Sequence, residues 1–241
     1  MKLAVVIPCY NEKDNIPLIV QRIGKTFKDR KNIDVILVDN GSTDASEEVF
    51  LDHIKGQDLI RYIKITKNQG YGHGILYGIN AAPNADVYAW THADMQTDPA
   101  HVLKAFDLLR AKGVENKIIK GKRTNRSALD ALFTFGMQVF ASALLGVKFN
   151  DVNAQPKVFS KHFFDNHIRG KAPLDFSLDL FLLYQCSKAG YSTLTIPVDF
   201  PQRAHGEAKG GGNWPARIKL IKRTFSYILF LRKSINASLP E

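Results

Sequence analysis

At 241 residues, with 45% hydrophobic and 23% charged content, the chain has the composition of an ordinary globular protein and is long enough to bury a sizeable core in one domain. Its two cysteines, Cys9 and Cys186, are too few for a disulfide framework or a structural zinc site. The net charge of +10 is concentrated in residues 117–126 (five Lys/Arg, no acid) and 202–241 (eight Lys/Arg against Glu207 and Glu241), which points to phosphate ligands or an anionic surface. No helix-turn-helix, zinc-finger or aromatic RNA-binding signature accompanies that charge, so nucleic acid is not an expected partner. Met1-Lys2 runs straight into a strand without a signal-peptide pattern, and a reducing, cytoplasmic compartment is expected.

Leu3 to Ile7 reads as a strand, ended by Pro8-Cys9-Tyr10-Asn11-Glu12. Turn and cap residues follow, and Pro17 suits the first turn of a helix running to about Thr26. Val35 to Val38 is a second buried strand. After it, Gly41 permits a tight turn, and Ser42, Thr43 or Asp44 can cap a helix reaching about Lys55. Ile60 to Ile65 is a third strand, and residues 68–74 lead into a helix near Ile75 to Ala82. Three such strand–helix units imply right-handed crossovers and a largely parallel sheet. The glycines of residues 70–78 lack the spacing of a dinucleotide-binding fingerprint and follow the third strand, so that reading is rejected.

Val87 to Trp90 is a short apolar run that reads as a buried parallel strand, and Asp98-Pro99 opens a helix to Lys112 with Val102, Leu103, Phe106 and Leu109 on one face. His92, Asp94 and Gln96 therefore sit on a loop at the carboxyl end of a strand, where open α/β sheets bind ligands. Alternate residues of such a loop tend to face the same way, so these three side chains can converge on one metal or phosphate. The competing reading is a polar loop whose Asp caps a helix.

Ile118-Ile119 is a short strand delivering Lys120, Lys122, Arg123 and Arg126. Residues 128–147 are apolar except for Asp130, Thr134, Gln138 and Ser142, whose spacing of four makes one polar stripe on a helix. The segment is long enough to cross a bilayer, but crossing would separate the basic loop before it from the acidic loop after it. A helix packed on the sheet or lying in a membrane interface is favoured. Asp151 precedes a strand at Val158-Phe159, Asp179 lies near the start of a helix from Ser177 to Ala189, and a strand at Leu194 to Val198 feeds a glycine-rich loop from Arg203 to Gly212. Pro215 starts a basic helix with Ile218, Ile221, Phe225 and Ile228 on one side and Lys219, Lys222, Arg223 and Lys233 on the other. The expected fold is α/β, a single domain over residues 1–212, with a basic amphipathic helix at 213–241 packed on it or at a membrane surface.

Taken together, Pro8-Cys-Tyr-Asn-Glu12, Val38-Asp-Asn-Gly-Ser-Thr-Asp44, Asn68-Gln-Gly70 and Thr91-His-Ala-Asp-Met-Gln96 resemble the family 2 glycosyltransferases with the GT-A fold. With Arg203-Ala-His-Gly-Glu-Ala-Lys209, the pattern is most similar to the dolichol-phosphate mannosyltransferase-like branch, over roughly residues 2–210. The resemblance implies a mostly parallel sheet flanked by helices, a nucleoside-diphosphate sugar donor, Mg2+ or Mn2+, and inversion at the anomeric carbon. Pro8, Tyr10 and Glu12 would line the base and ribose pocket, and Asp39 would hydrogen-bond the base. Asp94 would bind metal, with Gln96 a second ligand, and Arg123, Arg203 and Lys209 would hold phosphates.

The sequence departs from the family where the first Asp of its Asp-x-Asp is His92, since imidazole ligates Mn2+ but suits the harder Mg2+ poorly. His92 stays open as a metal ligand. If the acceptor is a saccharide hydroxyl, Asp179 is the candidate general base and Asp151 the second choice. If it is a polyprenyl phosphate, which is already anionic, no base is needed. The phosphate acceptor is the favoured reading, with peripheral contact at the inner face of a membrane. A non-catalytic nucleotide-binding scaffold is the remaining alternative.

Overall fold

The computed structural model describes residues 1–125, 128–206 and 214–237. In chain order its elements are β1 (Leu3–Cys9), α1 (Ile16–Phe27), β2 (Ile33–Asn40), α2 (Ser46–His53), β3 (Ile60–Ile65), α3 (Tyr71–Asn80), β4 (Val87–Trp90) and α4 (Ala100–Lys112). They continue as β5 (Lys117–Arg123), α5 (Ala128–Leu145), β6 (Lys157–Ser160), α6 (Lys161–Phe163, running on as one π-helical turn to Ile168), α7 (Leu178–Lys188), β7 (Ser192–Val198) and α8 (Trp214–Ala237).

The seven strands form one sheet in the order β3-β2-β1-β4-β6-β5-β7. β1, β2, β3 and β4 pair in parallel, as do β5 and β7, and β6 runs antiparallel between β4 and β5. The expected mostly parallel sheet is therefore present, with one reversed strand. That reversal matters for function, because it brings the loop preceding β6 to the same edge as the carboxyl ends of the other strands. Both faces of the sheet are covered by helices, which is why the central strands read as nearly unbroken apolar runs.

α3 lies against the sheet where its glycines permit close approach. A Cβ on Gly78 would meet Val6 and Val38 side-chain carbons at 2.5 and 2.9 Å, and one on Gly74 would meet the Asn40 carboxamide at 2.9 Å. The glycine cluster of this segment is thus a packing device. Trp90 closes β4 with its ring edge-on to Phe159 at 5.3 Å, and both are fully buried. At the end of β2, Gly41 (φ +74°) makes the expected tight turn, and the Asp44 carboxylate accepts from Ser46 N at 3.0 Å to start α2.

On α5 the polar stripe is partly covered: Thr134, Gln138 and Ser142 are half-buried, and Ser142 Oγ accepts from Phe149 N at 3.1 Å, while Phe135 (62%) and Val139 (51%) are exposed. The α8 face differs from the sequence reading. On α8 the buried side is Ile228 and Leu231, flanked by Tyr227, whereas Ile218 and Phe225 are exposed. Periodicity identified a stripe on each helix, but the neighbours decided which stripe is covered. α5 and α8 pack on each other, with Phe140 and Phe225 stacked at a centroid distance of 3.7 Å. Among the described residues, no helix is long and apolar enough to cross a membrane. The domain boundary expected at residue 212 falls outside the described residues.

Candidate active site

The loops after β1, β2, β4, β5 and β7, and the loop before β6, gather at one edge of the sheet. Among the described residues, four that are not glycine have positive φ, and three of them sit in these loops: Asn11 (+52°), Met95 (+61°) and Asp151 (+41°). Left-handed backbone at such residues persists only where surrounding contacts impose it, and it concentrates at functional loops.

Met95 breaks the extended alternation expected for the loop after β4, so His92, Asp94 and Gln96 do not converge. Asp94 points inward and is buried; its Oδ1 accepts from Gln96 N at 3.1 Å, and its Oδ2 accepts from Arg203 Nε at 3.0 Å. Gln96 turns aside, its Nε2 donating to Pro201 O at 3.1 Å. The half-buried His92 ring faces Tyr71, 6.2 Å away between centroids. Among the described residues, no group of three or more His, Cys, Asp and Glu side chains is arranged around a common metal position.

Glu12, at the end of the loop after β1, completes the Arg203 contact, with Arg203 Nη2 3.0 Å from Glu12 Oε1 and 2.9 Å from Asp94 Oδ2. Two carboxylates that share one guanidinium form a site suited to a cation. The oxygen donors are those a hard divalent metal accepts, and Asp94, with Glu12 across the guanidinium, is the residue that would hold it, whereas Gln96 and His92 are turned to other partners. Pro8, in β1, and Tyr10, just after it, are half-buried. A cavity of about 150 Å³ opens here between Asn11, Glu12, Asn15, Asp44, Arg203 and His205. A larger cavity of about 370 Å³, around Lys2, Asn32, Asp34, Arg61 and Asn84, lies at the opposite end of the sheet, away from every residue singled out above.

Asp39 is fully buried at the end of β2 and is already engaged: Oδ1 accepts from Ser42 N at 2.8 Å and Oδ2 from the Tyr62 hydroxyl at 3.1 Å. Burial, with the Asp39 charge second, pushes the Tyr62 hydroxyl well above its ordinary range. Cys9, buried among Glu12, Asp39 and Asp94, is likewise held as a thiol, first by burial and then by those carboxylates.

On the other side of the edge lies a second, drier group of charges. Lys157, fully buried in β6, donates from Nζ to Asp179 Oδ1 at 2.8 Å and to the carbonyls of Val152 and Ala154 at 2.8 Å each. Gln155 Nε2 donates to Asp179 Oδ1 at 3.0 Å and lies 3.2 Å from the Tyr71 hydroxyl. Tyr71 in turn stacks on Phe176 at 4.8 Å. Burial raises the Tyr71 hydroxyl pKa, and the charges of Asp179 and Asp94 raise it further.

Asp151 pairs with Arg123 by a two-pronged contact and also accepts from Arg123 N at 2.8 Å. Burial pushes its carboxyl up, but the Arg123 bonds prevail and hold it below the usual range. Arg123 also lies over the Phe200 ring at 5.1 Å. Lys120 Nζ donates to Gly121 O and Asp151 O at 2.8 and 3.0 Å, and burial, reinforced by Lys157, lowers its pKa to about 7. Lys209 lies outside the described residues.

Lys157, Gln155 and Tyr71 were not singled out from the sequence. A lysine inside a four-residue buried strand was the signal available for the first. The other two carry no pattern that distinguishes them from ordinary loop and helix residues.

The family model described as Glycosyl transferase family 2 matches residues 4–130. Among curated proteins, the chain is 24% identical over 214 residues to an undecaprenyl-phosphate 4-deoxy-4-formamido-L-arabinose transferase of Photorhabdus laumondii, covering 86% of this chain and 62% of that protein. It is 26% identical over 220 residues to the protein of the same name from Aeromonas hydrophila, covering 87% and 63%. The chain thus spans about three-fifths of the length of these relatives. Among solved structures, mannosyltransferase PcManGT from Pyrobaculum calidifontis, in complex with GDP-Man and Mn2+, superposes with a TM-score of 0.67 at 18% identity, covering 95% of this chain and 64% of that one. Glucosyl-3-phosphoglycerate synthase from Mycobacterium tuberculosis, in complex with Mn2+, UDP and glucosyl-3-phosphoglycerate, gives 0.71 at 16%, covering 100% and 81%.

Proposed function

The chain belongs to glycosyl transferase family 2 and has its GT-A architecture, and from that premise we propose that it moves a sugar, with inversion, from a nucleoside-diphosphate sugar to a polyprenyl phosphate. The observation that carries the acceptor half of this reading is the engagement of Asp179. A base for a sugar hydroxyl needs a carboxylate oxygen turned toward the acceptor. Here Oδ1 takes both Lys157 and Gln155, Oδ2 faces Gln155 at 3.3 Å, and the side chain is 4% exposed. An acceptor that arrives ionised requires no such base. The curated relatives, named as undecaprenyl-phosphate transferases, support the same acceptor class.

In this reaction an acceptor phosphate oxygen forms a bond to the anomeric carbon from the face opposite the leaving group. The bond from that carbon to the diphosphate oxygen breaks, and its electron pair stays on the nucleoside diphosphate. No proton is removed from the nucleophile. Arg203 supplies bidentate contacts to the diphosphate, and Glu12 and Asp39 address the ribose and base. A divalent metal, Mg2+ or Mn2+, bound at Asp94 would neutralise charge developing on the leaving diphosphate. The strap carrying Arg203 reaches Gln96 and Asn15, and closed over a bound donor it would exclude the water that hydrolyses it.

The exposed Phe135, Val139, Phe225, Leu229 and Phe230 lie on α5 and α8, and α8 also exposes Lys219, Lys222, Arg232 and Lys233. An apolar face with basic residues beside it suits the surface of an anionic bilayer, where a lipid phosphate resides. The location is then peripheral, at the inner face of a membrane.

The test supplies UDP-, GDP-, TDP- and CDP-sugars with Mn2+ or Mg2+ to the protein, and offers as acceptors a short-chain polyprenyl phosphate, the corresponding free alcohol and a simple saccharide. Transfer to the phosphate alone, abolished by chelator, is expected. Transfer to the saccharide hydroxyl would overturn the acceptor assignment. Stabilisation by a nucleotide sugar without turnover on any acceptor would favour a scaffold.

A further inference from the structure

Arg203 stands between two carboxylates that reach it from different loops. Glu12 and Asp94 are each more than nine-tenths buried, and Arg203 is the cation the structure places against both. Without a cation between them, the two carboxylates would repel at close range in a poorly solvated place. Asp94 Oδ1 accepts from Gln96 N in the turn, and Arg203 approaches Oδ2 with both Nε and Nη2. The rest of the strap is pinned on either side, by Gln96 Nε2 to Pro201 O and by Asn15 Nδ2 to His205 O.

We propose that Arg203 is an internal counter-cation, which holds the cation position between Glu12 and Asp94 and yields it when metal and donor bind together. This deepens the donor reading given above and rests on it. A metal bonded to Asp94 Oδ2 would press a second positive charge against the guanidinium already on that oxygen. A divalent ion arriving alone must displace Arg203 and then face it as a like charge. A diphosphate removes that obstacle, because it offers the displaced guanidinium new anionic oxygens and contributes its own to the metal. Metal and diphosphate therefore raise each other's affinity, by equal factors as linkage demands. The same exchange moves Pro201 and His205 with the arginine, so the strap reports which partner it holds. Donor entry and water exclusion then become one event, since the strap that must open for the donor is rebuilt on the donor's own phosphates.

Two readouts test this without any turnover. In the first, free Mn2+ is followed by its electron paramagnetic resonance signal as it is titrated into the wild type, Arg203→Met and the double variant Arg203→Met/Asp94→Asn, with no nucleotide present. Arg203→Met is expected to bind Mn2+ at least tenfold more tightly than the wild type, and the double variant to lose that gain. Equal or weaker binding by Arg203→Met overturns the proposal. The second readout is amide hydrogen exchange at residues 202–206, again without ligand. Asp94→Asn is expected to speed it, and unchanged rates overturn the proposal. If both readouts behave as expected while no nucleoside-diphosphate sugar stabilises the wild type, the counter-cation stands and the donor reading fails.

Discussion

Two groups of carboxylates lie at the same edge of the sheet and are neutralised in opposite ways. Asp179 is matched by Lys157 from a central strand, both side chains nearly out of reach of water, whereas Glu12 and Asp94 share Arg203, which arrives on a strap beyond β7. The first pairing is built into the sheet, so losing either member strands a buried charge. The second is made by a loop residue outside the sheet, which on the proposal above is exchanged for a ligand. On the function proposed above, the second suits a donor side that opens and the first an acceptor side whose shape stays put.

The sharpest way to break the contrast is to remove one cation from each side. Lys157→Met leaves the Asp179 carboxylate buried without its partner, and a loss of about 3–5 kcal/mol in denaturant-derived stability is expected. Adding Asp179→Leu should restore much of that loss, because a buried ion pair replaced by apolar side chains is often neutral. If Lys157→Met were no less stable than the wild type, the two sides would not differ in the way described.

Asp94→Asn should do the reverse. The loss of stability should be smaller, about 1–2 kcal/mol, because Arg203 keeps its contact with Glu12. Turnover should fall at least roughly a hundredfold, which is about 2.7 kcal/mol of transition-state stabilisation. A steady-state assay beside a chemical melt reads both, and a large stability loss with retained turnover would contradict the assignment.

A smaller effect sharpens the acceptor side. The Lys120 pKa is lowered to about 7 by burial first and by Lys157 second. Between about pH 7 and the ordinary lysine value of about 10.4, the unfolded chain therefore binds a proton that the folded chain does not. Stability from this residue rises with pH across that window, and Lys120→Met should flatten the rise. Melts at pH 7 and pH 9 compare the slopes; equal slopes in both proteins would show that Lys120 stays charged when folded.

Much of the architecture was legible because it rests on local pattern. The apolar run Val87 to Trp90, the turn at Gly41 and the Val102, Phe106, Leu109 face are each visible within a few residues, and each holds in the structure. Asp94 was also legible, since a carboxylate at the carboxyl end of a strand is a local statement. What was not legible depends on residues far apart in the chain. Lys157 finds Asp179 across 22 positions, and Arg203 finds Glu12 across 191. The covered side of α8 was missed for the same reason: a periodic stripe says that a face exists, and only the neighbouring element says which face it covers.

The reversed strand also bears on the order in which the molecule assembles. β1 to β4 and α1 to α4 come from residues 3–112 in sequence order, each strand followed by its crossover helix. β6 must instead slot between β4 and β5 after the chain has travelled some 70 residues from β4, with Val87 opposite Ser160. Contacts that close long stretches of chain come at the greatest entropic cost and tend to form late. The β1–β2 pairing, which spans 30 residues, is thus expected to form before the β4–β6 pairing, which spans up to 73, and before the β1–β4 pairing, which spans 84. Pulse-labelled hydrogen exchange during refolding would detect this as protection of β1 and β2 amides before those of β6, and simultaneous protection would refute it.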